Sequence, residues 1–248
     1  MEASIASAGS LALLVMGLIF GLKHATEVDH VVAVSTIVSQ HGNLLRSARV
    51  GALWGVGHTA ALLITGIVVL SLRVAIPERV SNWLEFGVAL MILGLGTSAL
   101  WRALRNRGEV HVHEHVHDNV LHAHVHFHEA ATRHRKGHRV THNHSVSAVG
   151  LKPVLIGTIH GLAGSGPLTL LVLTQITSSW LGLLYLSLFG IGSIVGMLLM
   201  SGLIGLPFAL TSRNLSKFHQ RLQTSAAALS IAFGLWYAHE TFSASGLF

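Results

Sequence analysis

Between Lys152 and Arg213 the chain contains no Asp, Glu, Lys or Arg. A water-facing fold needs charge to clothe its surface, whereas about 20 apolar residues in a helix suffice to cross a hydrocarbon core about 30 Å thick. The rest of the composition points the same way. Of the residues, 51% are hydrophobic and 10% charged, with mean hydropathy +0.60, against roughly 25% charged in an average soluble domain. The chain is therefore read as an all-α integral membrane protein.

Apolar runs over 3–22, 50–72, 82–104 and 222–239 supply four spans, and the polar stretch from Gln175 to Ser179 divides the charge-free run into two more. Six helices are expected. The N-terminus lacks the basic region and small-residue cleavage site of a removable signal, so the first run is expected in the mature protein. Arg46 and Arg49, the basic cluster after span 3, and Arg213, Lys217 and Arg221 fall on one side, against Arg73 and Arg79 on the other. The positive-inside rule then places both termini outside and the long central loop in the cytoplasm. The excess of 16 Lys+Arg over 10 Asp+Glu flanks the spans. It is a topological signal and implies no nucleic-acid partner.

The two halves resemble each other at an offset of about 135 residues: Leu53-Trp54-Gly55-Val56-Gly57 matches Leu188-Phe189-Gly190-Ile191-Gly192, Trp101 matches Trp236, and His24 falls within one residue of His160. Three helices per half is an odd number, so the halves are expected as inverted repeats meeting near the midplane. The expected organisation is a first repeat over 1–107, a disordered His-rich loop over 108–150, and a second repeat over 151–248.

The chain has no cysteine, which excludes disulfides, thiolate zinc sites, iron-sulfur clusters and a cysteine nucleophile. Any metal is held by nitrogen and oxygen, and 19 histidines are available. The segment His24-Ala25-Thr26-Glu27-Val28-Asp29-His30 lies in the middle of one long apolar stretch. An ionised carboxylate at that depth costs roughly 2.5 to 3.5 kcal/mol, so Glu27 and Asp29 need a compensating partner, and a cation is the simplest. At 100° per residue His24, Glu27 and His30 form one stripe and Asp29 points off it; all four converge only if the helix unwinds. Gly57-His58-Thr59 in the second span and His160 in the glycine-rich segment Gly157 to Pro167 add further imidazoles. Those glycines and Pro167 are expected to break one helix and start the next. Imidazole with carboxylate suits Ni²⁺, Co²⁺ or Zn²⁺, while Mg²⁺ and Ca²⁺ favour oxygen alone.

Between Glu109 and His144 lie 12 of the 19 histidines, alternating at His111, His113, His115 and His117 and again at His122, His124, His126 and His128. Alternate residues of an extended chain share a face, and imidazole is largely neutral near neutral pH, so the loop is expected to bind transition metal as a reservoir or sensor.

His24, four residues, Asp29-His30, followed by Gly57-His58-Thr59, resembles the nickel/cobalt transporter superfamily of NiCoT and NicO types, including its urease-accessory-like membrane members. The segment from Thr158 to Leu171 is similar to the His-Gly-Leu-Ala-Gly-Ser region of those shorter members. The resemblance implies that His24, Asp29, His30 and His58 recognise the metal, with Glu27 tuning charge and His160 lining the opposing half. It implies a permease, not an enzyme, moving Ni²⁺ or Co²⁺ across a bacterial or archaeal plasma membrane. Its partners would be the lipid bilayer, the ions themselves, and cytoplasmic metallochaperones or energising subunits. The eight-helix importers of this superfamily begin with an extra helix and carry more acidic motifs in their second half, and both are missing here. Two rivals remain: a membrane subunit of a multi-component transporter, and a histidine-rich di-iron oxygenase. The chain has no phosphate-binding Gly-x4-Gly-Lys-Ser/Thr loop of its own and no His-His dipeptide of the oxygenase type.

Overall fold

The computed structural model describes residues 2–74, 76–105, 111–117, 120–126, 148–164, 176, 178–212 and 216–244. Among these residues run seven helices: α1 (Glu2–His24), α2 (Val28–Val38), α3 (Leu44–Leu72), α4 (Glu78–Arg105), α5 (Ala148–Ala163), α6 (Ser179–Thr211) and α7 (Ser216–Ala244). Local chemistry sets several boundaries. Asn43 caps α3 by accepting from the Arg46 backbone N–H at 3.2 Å, and Ser178 caps α6 by accepting from that of Leu181 at 3.4 Å. The polar stretch expected to divide the charge-free run thus ends where α6 begins.

Three helices, α3, α4 and α6, are long and apolar enough to cross a bilayer. Residues 11–24 of α1 and the whole of α2 make a fourth span if their 51° bend lies within one crossing. Six crossings were expected. Helix α5 has 16 residues, fewer than a span needs. Helix α7 has 29 but devotes one face to polar contacts with α2: Ser230 Oγ donates to the Val32 carbonyl at 3.2 Å and pairs with Thr36 Oγ1, and Gln223 Nε2 donates to the Ser39 carbonyl at 2.7 Å. Those side chains lower its apolarity.

Helix α3 packs on α5 and α6, α1 packs on α6, and α4 pairs with α7. Short α2 bridges the two groups, touching α3, α4, α6 and α7 through the buried face His30, Ala33, Val34, Thr36 and Val38. Glycines bring the backbones together. A Cβ at Gly57 of α3 would land on the Val154 carbonyl of α5, and one at Gly157 of α5 on the Trp54 carbonyl of α3. The same exchange links α6 and α1, where Gly192 meets the Leu18 carbonyl and Gly21 meets that of Phe189. Helix α5 therefore continues through Gly157 and Gly161 and ends at Ala163, inside the segment where a helix break had been expected. Both glycines are contact points on α3, and the segment from residue 165 to Pro167 lies outside the described residues.

Large apolar side chains cover the outside, among them Leu11, Ile19, Ile64, Leu72, Trp180, Leu203 and Leu210. So continuous an apolar exterior fits lipid and not water. The histidine segment contains an antiparallel pair, β1 (His111–His117) and β2 (Val120–His126), which sets His111 opposite His126, His113 opposite His124 and His115 opposite His122. Disorder had been expected there. Val112, Val116, Val120 and Val125 are β-branched and favour strands, and the sequence between β1 and β2, Asp118-Asn119, is of turn-forming residue types.

Candidate metal centre

Helix α1 stops at His24 because its last turn is satisfied locally: the Thr26 and Glu27 N–H groups donate to the Lys23 and His24 carbonyls at 2.9 and 3.0 Å, and Thr26 Oγ1 donates to the Lys23 carbonyl at 2.6 Å. The chain restarts at Val28 with Glu27 as an extended N-terminal residue and Asp29 in the first turn of α2. Two carboxylates beside a helix N-terminus are favoured by its exposed N–H dipoles. The acids that make this segment costly in lipid are the same acids that stabilise the start of α2.

The break folds the motif onto itself. His24 Nδ1 lies 2.9 Å from Glu27 Oε2, and its Nε2 lies 3.1 Å from His58 Nε2 on α3. Asp29 turns the other way. Its Oδ1 accepts from the His30 backbone N–H at 2.9 Å and contacts His30 Nδ1 at 3.0 Å, while Oδ2 contacts His160 Nε2 on α5 at 2.7 Å. The His30 ring centroid lies 4.4 Å from that of His24, 5.2 Å from His58 and 4.1 Å from His160. Trp54 of α3 stacks on His30 at 5.4 Å and leans on His160 at 5.5 Å. Trp54 and His58 are fully buried.

Four ring nitrogens in this cluster, His30 Nε2, His58 Nδ1, His160 Nδ1 and Trp54 Nε1, are buried without a hydrogen-bond partner among the described residues. A buried polar atom left unpaired costs about 1 to 3 kcal/mol, so this concentration marks a place built for something other than stability. Two sets of donors converge closely enough for one ion: His24, His30 and His58, and Asp29, His30 and His160, each with its donor atoms within 4.8 Å of one another. A carboxylate holding one imidazole nitrogen while the other is free is the usual way of aiming a metal-ligating histidine. A cavity of about 400 Å³ opens beside the cluster, lined by Lys23, Glu27, Asp29, His160, Glu85 and Tyr237 among others.

His24, His30 and His58 come together as the sequence led us to expect, and Glu27 contacts His24 from the cavity mouth with its side chain 55% exposed. Asp29 does not join His24 and His58. The 51° bend carries its carboxylate to His160 instead, so His160, expected only to line the site, is a full member of it. The side chains of the loop histidines lie outside the described residues, and the structure gives only their backbone pairing. Two residues and one motif escaped the sequence reading. Trp54 was noted only as part of the repeat, and its place between two imidazoles carries no sequence signal. Glu85, which accepts from the Tyr237 hydroxyl at 3.5 Å, did carry one: an ionisable residue inside an apolar span is a site candidate by default. The run His113-Glu114-His115-Val116-His117 spells the His-Glu-x-x-His of zinc proteases, which needs a helix to bring its histidines together. Here it lies on β1, where residues four apart are separated by about 13 Å along the strand.

The urease accessory protein UreH of Bacillus sp. (strain TB-90) is 37% identical to the chain over 238 residues, which cover 96% of this chain and 95% of that protein. No protein-family model and no solved structure matches.

Proposed function

Because the chain belongs to the family of the urease accessory protein UreH, we propose that it is a permease that moves a divalent transition metal ion across the membrane, Ni²⁺ foremost, with Co²⁺ as the near alternative. A urease accessory role implies nickel, and imidazole-rich sites with a carboxylate take Ni²⁺, Co²⁺ and Zn²⁺ in preference to Mg²⁺ or Ca²⁺. The observation that carries this reading is the interlocked set of His24, His30, His58, His160 and Asp29 around a broken helix, with ring nitrogens of His30, His58 and His160 buried and unpaired among the described residues. Broken helices at the meeting point of two repeats are how secondary transporters build midplane ion sites.

The reciprocal glycine contacts of α3 with α5 and of α6 with α1 support the inverted-repeat plan, since they exchange partners under the same offset that aligns the two halves of the sequence. On this plan α5, with the residues that follow it, and α7 complete six crossings, both termini lie outside, and the histidine segment faces the cytoplasm. The ion enters from the cavity, sheds water onto imidazole and carboxylate, and leaves on the other side as one repeat rocks against the other. The histidine segment would hold metal at the cytoplasmic mouth.

The test is Ni²⁺ flux into proteoliposomes under an imposed pH gradient, comparing the intact chain with His24→Ala and Asp29→Ala. Each substitution is expected to lower flux by about 10- to 100-fold, the range found when metal-site residues or their supporting carboxylates are removed. Equal flux in all three would remove this cluster from transport.

A further inference from the structure

We propose that the cluster is two adjacent metal stations that share His30, occupied one at a time. The first is His24, His30 and His58; the second is Asp29, His30 and His160. This rests on the metal-binding reading above and adds how the ion is held during its passage.

The two sets of donors share His30 and differ in their other two members. In the first, the Nε2 atoms of His24 and His58 face each other at 3.1 Å, and His30 Nε2 is buried and unpartnered among the described residues. In the second, Asp29 Oδ1 sits 3.0 Å from His30 Nδ1, and Oδ2 sits 2.7 Å from His160 Nε2. We assign opposite nitrogens of the one ring to the two sets: Nδ1, which Asp29 contacts, to the second, and Nε2 to the first. A neutral imidazole has one N–H and one lone pair. When His30 ligates through Nε2, its proton is on Nδ1, donated to Asp29, and the carboxylate serves as an orienting partner. When it ligates through Nδ1, the proton must sit on Nε2 and Asp29 becomes a ligand. The ring carries the same number of protons in both states, but only one station can use it at a time. Repulsion between two dications a few ångströms apart works in the same direction.

The stations also differ in chemistry and access. Asp29, His30 and His160 of the second all line the cavity, an anionic oxygen among them, whereas of the all-imidazole first His24 and His30 line it and fully buried His58 does not. Passage from one to the other amounts to a change of His30 tautomer with the flanking ligands exchanged, which spares the ion a return to full hydration between the two.

Equilibrium Co²⁺ binding tests this on the full-length chain in detergent, with the twelve loop histidines changed to asparagine so that only the buried cluster reports. Two exclusive stations predict one ion per chain. They also predict that His58→Ala and His160→Ala each leave the other station in place, so that the double variant loses far more affinity than the product of the two single losses. His30→Ala, which removes a ligand from both, should lose as much as the double variant. A double loss no larger than the product, or two ions bound at once, overturns the proposal. Should the double variant or His30→Ala fail to fold, the visible spectra of Co²⁺ on the two single variants decide. They must differ, one all-imidazole and one carboxylate-containing, and identical spectra overturn it. The readout does not involve transport, so binding in this pattern without flux would end the permease reading and leave the stations standing. Flux with a single additive site would do the reverse.

Discussion

Asp29 is the residue on which sequence and structure part most instructively. On a continuous helix it points away from the stripe of His24, Glu27 and His30, and the sequence alone allows only the conditional statement that unwinding would bring all four together. The chain does unwind, between His24 and Val28, but the carboxylate goes to His160 on a helix far along the chain. The participants were legible because buried acids and imidazoles in an apolar span need partners. Their pairing was not, because it depends on one 51° angle. Asp29→Asn preserves shape and removes charge, so it should weaken Ni²⁺ binding by about 10- to 100-fold, read by competition with a chelating indicator. An unchanged affinity would mean that the carboxylate neither ligates nor orients. Acidification acts on the same atoms. Protons compete with metal for imidazole nitrogen, so lowering the pH from about 7.5 to about 5.5 must release metal from the cluster and the loop alike. An indicator titration that gives the same affinity at both values would exclude imidazole as the main ligand.

At the scale of the helices, the glycines were readable as a repeated pattern but not as what they do. Leu53 to Gly57 and Leu188 to Gly192 match in sequence, and the structure turns that match into two equivalent close contacts, α3 on α5 and α6 on α1. These contacts hold the ligand-bearing elements at a fixed spacing: Gly161 meets the backbone of His58, and Gly21 lies three residues before His24. Gly21→Ala, Gly57→Ala, Gly157→Ala and Gly192→Ala each place a methyl group onto a carbonyl of the facing helix and should destabilise by about 1 to 3 kcal/mol or more. Gly87 and Gly94 on α4 face open space. Alanine there should be neutral or stabilise by up to about 1 kcal/mol through helix propensity. Thermal unfolding in detergent, followed by circular dichroism, separates the two groups, and equal melting shifts in both would refute the close-contact account. The extents of α5 and α7 were harder to read. Helix α5 begins upstream of the glycine run because its glycines serve packing, and α7 carries polar residues, Gln223 and Ser230, that the position of α2 explains.

For the whole molecule, membrane residence follows from composition and agrees with the exposed apolar side chains, and length and apolarity alone give three spans among the described residues, or four with the bent pair. The histidine segment shows where sequence pattern is ambiguous: alternation of histidine with valine is equally a metal-binding tract and a hairpin, and the backbone pairs β1 with β2. The account as a whole stands on a divalent ion entering the buried cluster. X-ray absorption at the nickel edge, on the Ni²⁺-loaded full-length chain with its loop histidines replaced, tests this directly. The account predicts retained nickel with the multiple-scattering signature of at least two imidazoles, lost on His30→Ala. Nickel in an all-oxygen shell, or none retained after desalting, would contradict it.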